Sequence, residues 1–302
     1  MTIKEQTKDA AKKAGALDVG IASPESVNAR TPPGHQTNEI LPGTKSIVVL
    51  AGYGATYGAL HAGDARIPMV SKAYRMGKRL AAAQAVEDFI EKECGYYAVM
   101  VPMEYKDGLQ PWMSMELMAE EAGLGGRGIN NLVLHPRYGC KIEFTAILTT
   151  MPLQPDGKLR VNPCPAPQCV KLWMERKSTL CLDVCPASQG GCLDGAIEKG
   201  RVKWASFNQI RCSSRARFMG SEHTMKFMDT VISEPDPFKR TQMTYSDEFF
   251  HLIEALGPGG TQFLGSCFEC TKVCPVGDIN YKMKPKADPE DQPTDEGGQS
   301  AG

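Results

Sequence analysis

Cys267-Phe268-Glu269-Cys270-Thr271-Lys272-Val273-Cys274-Pro275, late in the chain, and Cys181-Leu182-Asp183-Val184-Cys185-Pro186, earlier in it, decide how this sequence reads. Each closes on Cys-x3-Cys-Pro, and the later stretch adds a Cys-x2-Cys step. Of the eleven cysteines, all but Cys94 and Cys140 fall in the span from Cys164 to Cys274. A four-iron four-sulfur (4Fe-4S) cluster takes four thiolates in tetrahedral array. Closely spaced cysteines let one loop wrap three corners, while the cysteine before proline reaches across to the other cluster. Two clusters therefore need crossed pairing: Cys164, Cys169 and Cys181 with Cys274, and Cys267, Cys270 and Cys212 with Cys185.

The motif is the terminal half of a ferredoxin motif, present twice. In the first copy four residues separate Cys164 from Cys169 and eleven separate Cys169 from Cys181, where two and two are usual. Lengthening a surface loop costs only about 0.6 kcal/mol per doubling, so the insertion is tolerable. Cys192, in Gly190-Gly191-Cys192-Leu193, is the substitute if Cys164 or Cys169 is not a ligand. Disulfides would need an oxidising compartment; the opening Met1-Thr2-Ile3-Lys4 shows no apolar signal segment, so a cytoplasmic chain with reduced thiols is expected. Structural zinc is the stronger rival, but its separated Cys pairs do not explain Cys-x2-Cys-x3-Cys-Pro. Cys94 and Cys140 read as buried, inert thiols.

With 302 residues and 42% apolar content, the chain can form two domains, each with its own core. No stretch of eighteen apolar residues occurs, so no membrane partner is expected. The net charge of −1 argues against nucleic acid held on a basic face, and no nucleic acid is expected. The fifteen methionines read as core filler. Residues 285–302 hold no large apolar side chain and are expected to be disordered.

Residues 3–14 form a helix by pattern, with Thr2 as N-cap and Glu5 completing a capping box. Asp18 to Ile21 is extended, Leu41-Pro42-Gly43 turns, and Ser46 to Ala51 is a buried strand. A helical pattern covers Val70 to Glu93 and a strand Tyr96 to Val101. A helix follows from Ser114 to Ala122, then the turn Gly123-Leu124-Gly125-Gly126-Arg127-Gly128, then extended Asn131 to Leu134 and Ile142 to Thr149. This mixture predicts a layered α+β or α/β domain ending near Pro155-Asp156-Gly157. The glycine run matches G-x-G-x-x-G, but a helix precedes it and a strand follows. A dinucleotide site has the reverse order. Either a helix cap or a cofactor wall accounts for the glycines.

The segment from Ala119 to Asn130 (AEEAGLGGRGIN), continuing as LVLHPRYG and ILTTMPLQPD, resembles a block shared by the corrinoid iron-sulfur reductases. These are the reductive dehalogenases and epoxyqueuosine reductases. Leu41-Pro42-Gly43-Thr44-Lys45-Ser46 resembles their turn before the first central strand, and an isolated cysteine between the two motifs, here Cys212, fits as well. The resemblance covers most of residues 40–275. It implies an α+β fold: a nitroreductase-like domain holding cobalamin over residues 1–157, then a ferredoxin-like domain with two 4Fe-4S clusters over 158–284. It implies an oxidoreductase that reduces the corrinoid for reductive cleavage of a small organic substrate, fed by a low-potential donor such as ferredoxin or flavodoxin. The alternatives are an electron-transfer or corrinoid-reducing protein without its own substrate, and a cobalamin-free reductase.

Gly123, Gly125, Gly126, Gly128 and Asn130 would form the cofactor wall. Epoxyqueuosine reductases carry an acidic proton donor six residues before the glutamate matched by Glu116, where this chain has Gln110; that argues against queuosine chemistry. Dehalogenases carry proline and basic residues where this chain has Cys140-Lys141-Ile142-Glu143. The opening residues also lack a twin-arginine leader. Chemistry at a corrin face needs a proton donor and positive charge, and Tyr105, Tyr138 and Lys141 are the candidates by position. Cys140, close to the turn, could serve as a ligand or a resolving thiol.

Overall fold

The computed structural model describes residues 1–63, 66–103, 105–107, 110–185, 191–215, 228–247, 249 and 267–277. Pro186, Gly190 and the expected disordered tail lie outside them.

Helix α1 (Ile3–Lys13) starts as its sequence dictates. Thr2 Oγ1 accepts from the Glu5 N–H at 3.2 Å, and Glu5 Oε2 accepts from the Thr2 N–H at 2.7 Å, so two otherwise orphaned donors are satisfied. Strand β1 (Asp18–Ala22), helices α2 (Pro24–Asn28) and α3 (Thr37–Ile40), and β2 (Ser46–Tyr53) follow. After α4 (Tyr57–Leu60) comes the long α5 (Arg66–Asp88), which ends in a π turn over Phe89–Glu93. The next strand, β3 (Ala98–Met100), is shorter than its pattern because the Tyr96 N–H is still tied to Ile90 O at 3.2 Å. Short strands β4 (Tyr105–Asp107) and β5 (Gln110–Pro111) lead to α6 (Met115–Glu121), capped by Ser114, then β6 (Gly126–Arg127), β7 (Val133–Leu134) and β8 (Ile142–Thr149).

Four of these strands form one antiparallel sheet in the order β1-β2-β8-β3. Strands β2 and β8 pair along their full length, from Ser46↔Thr149 to Tyr53↔Ile142. Alternation then sorts their side chains to two faces. Ile47, Val49 and Ala51 pack with Phe144, Ala146 and Leu148 beneath α6, whereas Val48, Leu50 and Ile147 pack with Ala82, Ala83 and Val86 of α5 and Ala11 of α1. Because helices cover both faces, the run from Ile47 to Ala51 is apolar throughout.

Helices α7 (Pro167–Arg176) and α8 (Leu180–Val184), the hairpin β9 (Leu193–Glu198) and β10 (Arg201–Phe207), and α9 (Gln209–Arg215) make the cysteine-bearing part. The hairpin turns on Lys199 and Gly200, both at positive φ (51° and 71°), the conformation a two-residue turn needs. A short helix, Glu269–Lys272, packs against α8. The protein is thus a mixed α/β structure in which the cysteine-bearing part follows the layered sheet.

Candidate redox site

The thiols fall into two groups. In the first, Cys164, Cys169, Cys181 and Cys274 are mutual neighbours. Burial pushes the Cys164 thiol up to about 12, and the other three add to that. Burial likewise lifts Cys181 to about 11, with Cys274 and Cys169 beside it. In the second, Cys185, Cys212, Cys267 and Cys270 stand together with Cys192. Burial raises Cys270 to about 12, and Cys267, Cys181 of the first group, Cys212 and Cys185 reinforce it, so the two groups adjoin at Cys181 and Cys270. Thiols this hard to ionise are protonated when free, and thiolate ligation displaces those protons. Among the described residues no three potential ligands converge on a single ion. A 4Fe-4S cube would need its four thiolates spread outward, one to each iron, and not converging on one point.

Cys192 is not where its place in the sequence suggests. It does not join Cys164 and Cys169: the chain folds back after α8, so the Cys192 N–H donates to Cys185 Sγ at 3.2 Å. Its own sulfur lies 3.3 Å from that of Cys185.

A cavity of about 520 Å³ lies between the sheet and the cysteine-bearing part. Its wall includes Lys72, Arg79 and Glu143 as well as Cys185, Cys212, Cys267 and Cys270. Cys140 and Lys141 also border it. Cys140 is buried against Cys274, within 3.9 Å of Thr271 O. Hydrogen bonding from Cys140 holds the Cys274 thiol below its ordinary range.

Of the five residues expected at a cofactor wall, Asn130 lines the cavity. Its Nδ2 is buried with no partner, while its Oδ1 accepts from the Leu132 N–H at 3.2 Å. The four glycines meet protein instead. A Cβ at Gly125 would lie 2.5 Å from Val133 Cγ1, and one at Gly128 2.3 Å from Leu134 Cδ1. Gly123 and Gly126 are similarly closed off by Gly157 and Asn162. These glycines let the β6-β7 hairpin close on itself and let Gly157 and Asn162 pack against it.

Tyr138 borders a smaller pocket of about 270 Å³, beside Tyr53, Tyr57 and Arg75, and its ring meets that of Tyr53 edge-on at 6.2 Å. Lys141 lines both cavities, its Nζ 5.1 Å above the Tyr57 ring. For Tyr105 only the backbone, in β4, is described.

Sequence reasoning missed Arg79, Lys72 and Glu143. Arg79 is buried and donates from Nη1 to Tyr53 O at 3.2 Å, leaving Nε without a partner. Burial pushes its guanidinium below the ordinary range, against the pull of Glu143. Burial draws the Glu143 carboxyl up, but Lys72, at 2.9 Å, and Arg79 outweigh it and hold it below the usual range. The signal available was the spacing of Lys72, Arg75 and Arg79, three and four residues apart along one face of α5.

No family model and no curated protein matches the sequence. Among solved structures, an epoxyqueuosine reductase from Bacillus subtilis, with its catalytic loop swung out of the active site, is similar over 92% of this chain and 66% of its own, at 18% identity and a TM-score of 0.53. An epoxyqueuosine reductase bound to a tRNA stem loop is similar over 70% of this chain and 56% of its own, at 22% identity and a TM-score of 0.48. A reductive dehalogenase described as B12-dependent is similar over 58% of this chain and 23% of its own, at 18% identity and a TM-score of 0.39. The chain therefore spans less than two thirds of each.

The finding is the fold shared with the Bacillus subtilis epoxyqueuosine reductase, which belongs to one of the two groups of reductases that the sequence resembles. The expectation of no nucleic-acid partner does not stand: a protein among these neighbours is solved with a tRNA stem loop. A net charge of −1 averages over the whole surface and cannot exclude a local nucleic-acid face. No helix among the described residues is long and apolar enough to cross a membrane.

Proposed function

We propose that the chain is an iron-sulfur oxidoreductase in which Cys164, Cys169, Cys181 and Cys274 hold one 4Fe-4S cluster and Cys185, Cys212, Cys267 and Cys270 the other, with a cobalamin in the adjoining cavity. The reaction is the reductive cleavage of a small organic molecule, with electrons from a low-potential donor such as ferredoxin or flavodoxin. On this reading residues 1–157 are a nitroreductase-like domain and 158–284 a ferredoxin-like one. The observation that carries it is the cavity whose wall includes Cys185, Cys212, Cys267 and Cys270.

When bound, the clusters supply one-electron carriers and the corrinoid a strongly reducing metal centre. The unpartnered Asn130 Nδ2 offers a donor to the amide oxygens that rim a corrin. The apolar wall from Leu132, Ile142 and Phe144 excludes water. Lys141 supplies positive charge at the rim, and Tyr138 and Tyr105 remain the proton-donor candidates.

One observation favours a second reading, a cobalamin-free reductase: the glycine turn packs on protein, not on open space. The test is iron, sulfide and cobalt content after anaerobic purification with and without added cobalamin. About eight irons and one cobalt per chain are expected. Eight irons without cobalt would establish the second reading, and zinc or four irons would overturn the cluster assignment.

A further inference from the structure

The two thiol groups differ in what they face. Cys185, Cys212, Cys267 and Cys270 border the main cavity, whereas Cys164, Cys169, Cys181 and Cys274 do not. The groups adjoin at Cys181 and Cys270. Electrons bound for the cavity therefore enter at the first group and leave from the second, and their carrier docks where the first group approaches the surface. The surface of α7 and α8, which carry Cys169 and Cys181, has charges of both signs already paired: Lys171 with Glu175 at 3.9 Å, and Arg176 with Asp183.

The surface beside Cys274 is different. Val276 and Gly277 line the pocket of about 270 Å³, and Val276, two residues on from Cys274, lies within about 7 Å of it along the chain. A further pocket of about 240 Å³ is continuous with this one, since Tyr53 and Arg75 line both. Together they present Arg75, Lys78 and Lys141, and the described residues lining them include no carboxylate. The Arg75 guanidinium lies 5.1 Å over the Tyr53 ring and that of exposed Arg137 5.3 Å over the Tyr138 ring, which holds these cations in place. Tyr53 is itself 42% exposed. Aromatic rings with fixed, unopposed positive charge are complementary to an acidic protein surface.

We infer that the face formed by Tyr53, Arg75, Lys78, Arg137, Tyr138 and Lys141 is the docking surface for an acidic one-electron carrier protein. The electron step rests on the proposed cluster reading; the docking does not. In that step the carrier is oxidised by one electron and the cluster held through Cys274 is reduced by one, with no bond broken and no proton moved. Single-stranded nucleic acid also stacks on rings beside cations, but the closeness to Cys274 favours the carrier.

The test is binding of an acidic flavodoxin to the full chain at low and high salt, by calorimetry, alongside stopped-flow reduction of the reconstituted protein. Arg75→Glu and Lys78→Glu should each weaken binding and slow reduction by flavodoxin roughly tenfold, and flatten the salt dependence. Lys92→Glu, about 25 Å further along the helix from Arg75, should match the parent. Photoreduced deazariboflavin, small and uncharged, should reduce parent and variants equally fast. Parent-like flavodoxin binding in both Arg75→Glu and Lys78→Glu, or none by the parent, overturns the surface. Loss of single-stranded oligonucleotide binding in these variants, with flavodoxin binding intact, assigns the face to nucleic acid and overturns it too. A parent that carries no iron yet binds flavodoxin in a salt-dependent way would sink the cluster reading and uphold the docking surface. Should Arg75→Glu not fold, the exposed Lys78 carries the test alone.

Discussion

Replacing Gly139 by alanine should separate the two halves of the redox site. Gly139 has φ +61°, and a Cβ there would lie 2.0 Å from Val276 O; Gly277 answers it, since its own Cβ would meet Gly139 N at 2.7 Å. The His-Pro-Arg-Tyr-Gly turn and the segment after Cys274 thus touch backbone to backbone. A left-handed alanine costs about 1–2 kcal/mol. The overlap adds about 1–3 kcal/mol of overpacking, since a contact below 3.0 Å must open by about 1 Å. Gly95→Ala is the control: φ is +74° and nothing lies within 4 Å, so it carries the conformational cost alone. Urea midpoints measured in parallel should place Gly139→Ala about 1–3 kcal/mol below Gly95→Ala. Because Val276 is two residues from Cys274, its iron content should fall as well. Equal midpoints with full iron in both variants would refute the clasp.

His135→Ala should remove the acid sensitivity of the same turn. His135 Nδ1 accepts from the Arg137 N–H at 3.0 Å, so Nε2 carries the proton donated to Asp18 Oδ2 at 3.1 Å. That hydrogen bond is the main reason the Asp18 carboxyl is held below its ordinary 3.8. A depressed folded value means the contribution is complete above the unfolded value and fades as pH falls through the folded one. The gap between parent and variant, about 1–3 kcal/mol at neutral pH, should close below about pH 4 in denaturation curves; a constant gap would contradict the pairing. Asp156→Ala should cost about 2 kcal/mol by thermal melting, since Asp156 accepts from the Ile21 N–H at 2.7 Å and pairs with Lys4 and Lys8. Asp156→Asn should cost less, because it keeps an acceptor for the Ile21 N–H and loses only the pairs to Lys4 and Lys8, which lie near the surface. Cys274→Ala should lower iron to about half in a colorimetric assay; full retention would remove Cys274 from the ligand set.

The layered sheet was legible because each element carried its own instruction. The Thr2 and Glu5 box, the β-branched run of β2 and the apolar β8 each determine local structure without help from distant residues. The β9-β10 hairpin, which sequence reasoning did not identify, carries its own signal in Lys199-Gly200 at its turn. The proline-flanked Cys185 was expected to point away from its own loop, and it lines one cavity with Cys212, Cys267 and Cys270; Cys212 entered that set by count and not by spacing.

Arg79 and Cys192 mark where linear reading runs out, and for the same physical reason. Each is placed by a partner remote in sequence or by a reversal that spacing does not encode. Gly52 leaves room on β2 for the stem of Arg79, for a Cβ there would meet Arg79 Cγ at 2.5 Å. Only with that space can a guanidinium lie buried at the cavity wall, with Nη1 on a backbone carbonyl and Nε unspent. Cys192, by contrast, sits nearer Cys181 than Cys212 in sequence, yet the backbone bonds to Cys185 and Asn208 carry it to the second group. Sequence counts thiols; the backbone hydrogen bonds decide which corner each can reach. The eight-ligand set read from spacing leaves Cys192 out, and the iron content of Cys192→Ala is the measurement that shows whether it belongs there.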